Sequence, residues 1–382
     1  MIRCAEALST VRNTDAALDE VISKLNDGLG GEPGDLAFVF ATMHHADALD
    51  RIGRTLRDRG LGRVVMGCTC ESVVGEGREI EATTGLSAWS ARLPGVAISP
   101  FYLDGNGGET WPEAAGSEPS SAVILLGDPF GFSADGWFGR LATARPGVRV
   151  LGGMASGGSA PGQNRLILNG ESRTTGAVAV ALRGDLTIRS VVSQGCRPIG
   201  RPLIVTKVDG NIVRELGRRP ALEVLQEIFE TLDPDDRKRV RSGLNIGRVI
   251  SEYRDAFGRG DFLVRNVMGA DQAGGIAISD LVRVGQTVQF HVRDAETADE
   301  DLRQLIAKDR ESGPVAGALL FTCNGRGSRL FPGPDHDVSV LRELLGPIPV
   351  AGFFAMGELG PVGGENFVHG FTASVVLFGE SS

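Results

Sequence analysis

Three short stretches of this 382-residue chain combine reactive side chains with glycine. Near the end, VAGFFAMGELGPVGGENFVHG carries an apolar run into a glycine turn and sets Glu358 beside Gly357 and Gly360. Upstream, GALLFTCNGRG ends another apolar run in Cys323, Asn324 and Arg326. In the first half, GRVVMGCTCE ends in Cys68, Cys70 and Glu71. Glycine leaves backbone amides open to close approach. An Arg supplies a planar fork for an anionic group, and a carboxylate accepts from an ammonium. Glu71, Cys68, Cys323, Asn324, Arg326, Gly357 and Glu358 are therefore the candidate contacts for a small polar ligand, such as a zwitterion. Asn324, Arg326 and Glu358 are expected to line one concave pocket, with Glu71 joining it or lining an equivalent site.

Other chemistry finds less support. Cys68 and Cys70 are spaced C-x-C, not C-x-x-C, and no second cysteine pair completes a zinc site. They are expected to be reduced and unlinked, since i and i+2 on a strand rarely meet in disulfide geometry. Cys323 would be a nucleophile only beside a base, and nothing in the sequence brings His44, His45, His291, His336 or His369 to it. The pair His44-His45 sits at a strand-to-helix turn, where it could ligate haem or simply face water. There is no G-x-x-x-x-G-K-[ST] loop and no G-x-S-x-G elbow. No metal or cofactor is expected, and no catalytic residue is assigned.

The elements that must position these residues recur. DLAFVFAT reads as a buried strand, HADALDRIGRTLRDRG as a helix with Asp47 as its cap, and GRVVMGCTCE as a second strand. SAVILLGDP, a helix capped by Ser133 and carrying Trp137, Phe138 and Leu141, and GVRVLGGMASGG repeat that order. VAGALLFTCNGRG, a helix capped by Asp337 over VSVLRELLG, and IPVAGFFAMGELGPVGGE repeat it again. Each strand–helix–strand piece predicts a parallel pair with a right-handed crossover. The strands that follow each glycine turn should pair antiparallel. The fold class is thus mixed α/β: repeated strand-helix-strand units with mixed parallel and antiparallel sheets flanked by helices. NRLILNG and TTGAVAVAL read as a hairpin, as does LIVTKVDGNIVREL with Asp209-Gly210 at its turn. Pro220 opens a helix with Leu222, Leu225 and Phe229 inward, and TADE at Thr297 reads as a capping box. The domain boundary falls between that hairpin and Pro220, giving residues 1–218 and 219–382.

Composition bounds the partners. The net charge is −9, and basic residues form no dense cluster, which argues against nucleic acid. The N-terminal residues contain no apolar signal-like segment, and no apolar run approaches a membrane span. Five cysteines, an odd number, fit reduced thiols in a cytoplasmic protein rather than a disulfide framework.

Several motifs carry a resemblance. VVMGCTCESVVGEG and TTGLSAWSA resemble the N-terminal half of FIST proteins. GNIVRELGRRPALEVL resembles the junction into their C-terminal half. GALLFTCNGRG and VAGFFAMGELGPVGGENFVHGFTASVVLF resemble that half closely, so the likeness runs from about Asp35 to the end. Cys70 and Ser72-Val73 stand where the family often has alanine and glycine. The resemblance implies a sensory, small-ligand-binding module of signal transduction, with amino-acid-like ligands proposed for the family. Bacterial relatives are often fused to kinases, cyclases or receivers, and some are haem-based gas sensors. This chain has no segment resembling a fused output domain, so a separate signalling protein would be its partner. An enzyme of unassigned reaction using Cys323 or Glu358 is the alternative reading, and a haem-based gas sensor a further one.

Overall fold

The computed structural model describes residues 1–105, 115–116, 118, 121–253, 257–258 and 260–380. Two compact units emerge. The first comprises Met1–Ser193, Leu302–Val368 and Thr372–Ser382; the second comprises Gln194–Asp301 and His369–Phe371. The expected halves, 1–218 and 219–382, divide the sequence, whereas these units group residues by contact. The second unit is an insertion into the first.

In the first unit the repeated pattern is real and longer than the sequence suggests. The lead strands are Leu36–Thr42, Ser121–Gly127 and Gly317–Cys323. Each runs parallel to its return strand: Val64–Cys70, Val150–Met154 and Val350–Ala355. The crossover helices are Leu49–Asp58, Ala134–Ala144 and His336–Leu345. On its other side each lead strand pairs antiparallel with a closing strand: Leu86–Arg92, Ala177–Gly184 or Thr372–Gly379. An edge strand that precedes the lead strand in sequence completes each sheet: Arg3–Ser9, Val96–Leu103 or Thr187–Gln194. The second unit interrupts the third repeat just after its edge strand.

The glycine turns lead somewhere unexpected. The hairpin after each return strand leaves its own sheet and pairs antiparallel with the return strand of another repeat. Val73–Gly75, from the first repeat, docks on Val350–Ala355 of the third. Leu166–Leu168, from the second, docks on Val64–Cys70 of the first. Glu358–Val362, from the third, docks on Val150–Met154 of the second. The exchange is cyclic. It overturns the expected hairpin between NRLILNG and TTGAVAVAL. Leu166–Leu168 instead turns at Asn169 and Gly170, both at positive φ, into Glu171–Arg173. Ala177–Gly184 goes to the second repeat's own sheet.

Burial explains the strand sequences. All seven residues of each of Leu36–Thr42 and Ser121–Gly127 are buried, because helices cover one sheet face and a shared core covers the other. Two-sided burial yields continuous apolar runs rather than alternation. Phe40, Phe321 and Phe353 meet in the shared core, with centroids 5.0 to 6.2 Å apart. Gly67, Gly152 and Gly352 lie opposite Val39, Leu125 and Leu320 in the three parallel pairs. A Cβ at any of them would overlap the carbonyl oxygen of that partner. This equivalence supports a true internal repeat.

Some caps differ from expectation. Ser133 does accept from the Gly136 N–H, at 3.3 Å. Asp47 caps nothing, since a 3₁₀ turn over Met43–Ala48 precedes the helix and Ala48 occupies the cap position. The helix expected from Thr297 starts earlier, at Ala295, because the Asp294 carboxylate accepts from the N–H groups of Glu296 and Thr297.

The second unit is an antiparallel sheet. The expected hairpin forms, with Asp209 opposite Ile212. Pairing of Cys196–Asp209 with Ile212–Leu216 closes a ring of six strands. Helix Ala221–Thr231 buries Ala221 and Val224 rather than Leu222 and Phe229. The smaller pair lets the helix approach the sheet, and Leu225 and Ile228 flank the contact.

Gly352→Ala should cost about 3 kcal/mol or more in urea unfolding, because a backbone oxygen cannot move aside. Gly139→Ala, in a helix where an added methyl meets nothing within 4 Å, should stabilise by about 0.5–1 kcal/mol. Equal effects at the two positions would contradict the close-approach argument.

Candidate functional site

The site begins where the third lead strand ends. Cys323 is its last residue and is half-buried. The chain then turns tightly: the Arg326 N–H donates to the Cys323 carbonyl at 2.8 Å, and the Gly325 N–H approaches Cys323 Sγ at 3.4 Å. This turn drives Arg326 inward, where it is fully buried. A buried guanidinium needs a counter-ion. Asp337 supplies it: Nε and Nη2 donate to its two carboxylate oxygens, both at 2.8 Å. Asp337 is fully buried too and also accepts from Thr322 Oγ at 2.6 Å. His336 Nδ1 lies 2.9 Å from it and the His336 ring stacks on Phe331. The guanidinium beside it holds the Asp337 carboxyl well below the usual carboxylate range, against the effect of burial.

Asp337 is therefore not the helix cap the sequence suggests. Glu79, on the hairpin exchanged from the first repeat, takes that role by accepting from the Val338 N–H at 3.0 Å. Burial, with the Asp337 charge second, pushes Glu79 up to about 8. Only Asp337 is bonded to the Arg326 cation, so Glu79 is the acid that burial holds toward its protonated form.

Glu358 opens the exchanged hairpin of the third repeat and is fully buried. Its Oε2 accepts from the Thr372 N–H at 3.1 Å and Oγ at 2.8 Å. Oε1 has no partner in hydrogen-bond geometry. Burial pushes the carboxyl up to about 8; Thr372, the Cys323 thiol and the Arg326 charge oppose that rise. Burial thus holds Glu358 toward its protonated form near neutral pH. Nη1 of Arg326 and Oδ1 of Asn324 are likewise buried without partners.

The structure therefore brings Cys323, Arg326 and Glu358 into one cluster, with Asn324 and Gly357 adjoining in the chain. It revises two expected roles. Arg326 is not an open fork, since Asp337 takes Nε and Nη2. Glu358 is not a ready carboxylate for an ammonium. Glu71 stands at the edge, paired with Arg329, whose Nη1 also donates to the Asn324 carbonyl at 2.8 Å. Cys68 is not part of the site: it is fully buried among apolar side chains of the shared core, which pushes its thiol up. Cys68 and Cys70 are reduced and unlinked as expected. His44 and His45 lie elsewhere, against the Arg12 carbonyl and Thr14 Oγ1. Sequence reasoning missed Asp337, Glu79 and Thr372 as members; an acid eleven residues beyond Arg326 was the visible signal for the first.

A repeated, strand-exchanged α/β unit with an inserted antiparallel sheet and a buried polar cluster at its strand ends is the architecture to be classified. Residues 35–219 match the FIST N domain and residues 221–361 the FIST C domain. The chain belongs to the FIST family, whose domains are sensory domains of signal transduction proteins. An uncharacterized protein of Mycobacterium bovis and one of Mycobacterium tuberculosis are each 43% identical over 99% of both chains. A second uncharacterized M. tuberculosis protein is 40% identical over 99% of this chain and all of its own length.

Asp337→Asn should lower stability by about 3–5 kcal/mol by leaving Arg326 buried without a counter-charge. Glu358 acts with the opposite sign. Its carboxyl is raised on folding, so its contribution is full below pH ~4 and is lost as pH rises toward 8. Glu358→Gln keeps the acceptor for Thr372 and removes that dependence. The variant should gain on the order of 3 kcal/mol over the native chain between pH 5 and 8, read by urea titrations at stepped pH. Parallel stability profiles would refute the raised carboxyl.

Proposed function

We propose that this chain is a stand-alone cytoplasmic sensory module that binds a small polar, amino-acid-like metabolite at the Cys323–Arg326 and Gly357–Glu358 turns. A separate signalling protein would read its state. The observation that carries the reading is the pair of unpartnered buried atoms, Glu358 Oε1 and Arg326 Nη1, on residues that interact with half-buried Cys323. A buried polar group without a partner is costly, and a polar ligand would supply one. A neutral carboxyl donates from its O–H, and Arg326 donates from Nη1, so both suit a ligand carboxylate or carbonyl. Asn324 Oδ1 suits its amino group. Glu71 and Arg329 would border the entrance. The family assignment supports the sensory role. Among the described residues no helix is long and apolar enough to cross a membrane.

A thermal-shift and calorimetric screen over amino acids and related carboxylates tests the reading. A true ligand at one hundred times its Kd stabilises by about 2.7 kcal/mol. Asn324→Ala should weaken binding without changing the unliganded Tm. Affinity should fall as pH rises through about 8, where Glu358 loses the proton it donates. Affinity that rises over that range would show Glu358 accepting from the ligand instead. No binder in the class, at any pH, would overturn the proposal.

A further inference from the structure

The same cluster has features that non-covalent binding does not use. Cys4, Cys68, Cys70 and Cys196 are all buried, whereas Cys323 is partly exposed at the end of its strand. Burial alone pushes the Cys4 and Cys68 thiols up, which makes them poor nucleophiles. Cys323 has different surroundings. The Gly325 N–H points at its sulfur. The Arg326 charge acts on it within the buried cluster. Its thiol lies against the Glu358 carboxyl. Both of those partners are fully buried, and each keeps one polar atom, Nη1 or Oε1, without a hydrogen-bond partner.

We propose that Cys323 is a hydroperoxide-reactive thiol, with Glu358 as the acid–base partner that takes the thiol proton and returns it to the leaving oxygen. The inference rests on reading these turns as the sensory site and adds a covalent input to it. Thiol and carboxyl together share one proton when singly ionised, and the proton's position between S and O is the only difference between the two forms. The form with the proton on Glu358 leaves a thiolate beside the Gly325 N–H and the Arg326 cation. That thiolate attacks the outer oxygen of the hydroperoxide. The S–O bond forms as the O–O bond breaks, and the electron pair leaves on the inner oxygen. Glu358 protonates that oxygen, releasing water or an alcohol. Sulfur is oxidised to the sulfenic acid and the peroxide is reduced, so Cys–SH + ROOH gives Cys–SOH + ROH. Arg326 Nη1 is the remaining donor for the peroxide oxygens. Hydroperoxides are favoured over alkylating electrophiles because their leaving oxygen needs a proton, which a buried neutral carboxyl supplies and a halide would not use.

The test treats the reduced full chain with hydrogen peroxide, traps sulfenic acid with dimedone and maps adducts by peptide mass spectrometry. The adduct should appear on Cys323 and not on the four buried cysteines, and should vanish in Cys323→Ser. The oxidation rate should follow a bell-shaped pH profile, since the pair must have lost one proton but kept the other. Alkylation of Cys323 by iodoacetamide, which needs no acid, should instead rise monotonically with pH. Glu358→Gln should slow oxidation about 100-fold while changing alkylation far less. If that variant does not fold, the two native profiles still decide. An inert Cys323, adducts on the buried cysteines instead, or two monotonic profiles would overturn the proposal. Metabolite binding is measured by thermal shift on the same samples before oxidation. A ligand shift with inert Cys323 overturns only the thiol chemistry. A reactive Cys323 with no ligand shift in the class overturns the metabolite reading and leaves the thiol chemistry standing.

Discussion

The first unit depends on the cyclic exchange of hairpins, and one hydroxyl ties the three exchanging turns together. The Ser156 hydroxyl is bonded to the Phe354 carbonyl and accepts from the Glu71 N–H at 3.0 Å. The Ser156 N–H points at the Thr69 carbonyl at 3.3 Å. Around this point the Phe354 N–H donates to the Ser72 carbonyl, and Met154 and the Met356–Gly357 turn exchange two further bonds. Backbone groups released where each return strand leaves its sheet are thereby satisfied by another repeat. A return strand without its foreign hairpin would be a bare edge with a row of open donors and acceptors. No repeat completes its sheet alone, so the three should fold as one cooperative body.

The exchange also builds the polar cluster. Arg326 and Asp337 belong to the third repeat, but the acid that caps their helix, Glu79, arrives on the hairpin of the first. The third repeat's own hairpin begins at Glu358, registered against Gly153 of the second. A buried ion pair contributes little net stability after desolvation. Its effect here is positional. The bidentate bond fixes the Asn324–Arg326 turn against the helix start, with Cys323 and Asn324 half-buried beside it. Asp337 stays ionised because Arg326 faces it, whereas Glu79 and Glu358, with no direct cation, are pushed toward neutrality.

Much of this was legible in the sequence, for a physical reason. Lead strands covered on both faces read as unbroken apolar runs, and the crossover helices show the 3.6-residue stripe, so the strand–helix–strand order could be seen three times. The exchange could not. Its hairpin strands, Val73–Gly75 and Leu166–Leu168, are three residues long and carry no period. Their partners lie in other repeats. Cys323, Arg326 and Glu358 were identifiable from residue type and glycine neighbours. Their protonation states were not, because those follow from burial. Asp337 was misread for a related reason: an acid in the first turn of a helix looks the same whether it caps that helix or turns inward to a distant Arg. The insertion was hidden because its boundary falls at the end of a continuous strand, Thr187–Gln194.

The internal symmetry gives a reason to place function where it has been placed. Three equivalent lead-strand ends leave three equivalent loops, and each carries a buried polar residue. In the first repeat His45 lies beside Thr14. In the second, Asp128 accepts from the Asn164 amide at 3.0 Å. In the third, Arg326 meets Asp337. The fold therefore requires only some inward polar anchor at this position, and a neutral hydrogen bond meets that need in the first repeat. The third loop goes further. Among the three it alone adds a thiol at the end of the lead strand and a buried acid pushed toward its protonated form beside it. Structural duty accounts for the anchor in all three repeats. It does not account for Cys323 and Glu358 in one of them, and that surplus is what assigns the chemistry to the third repeat rather than to the other two.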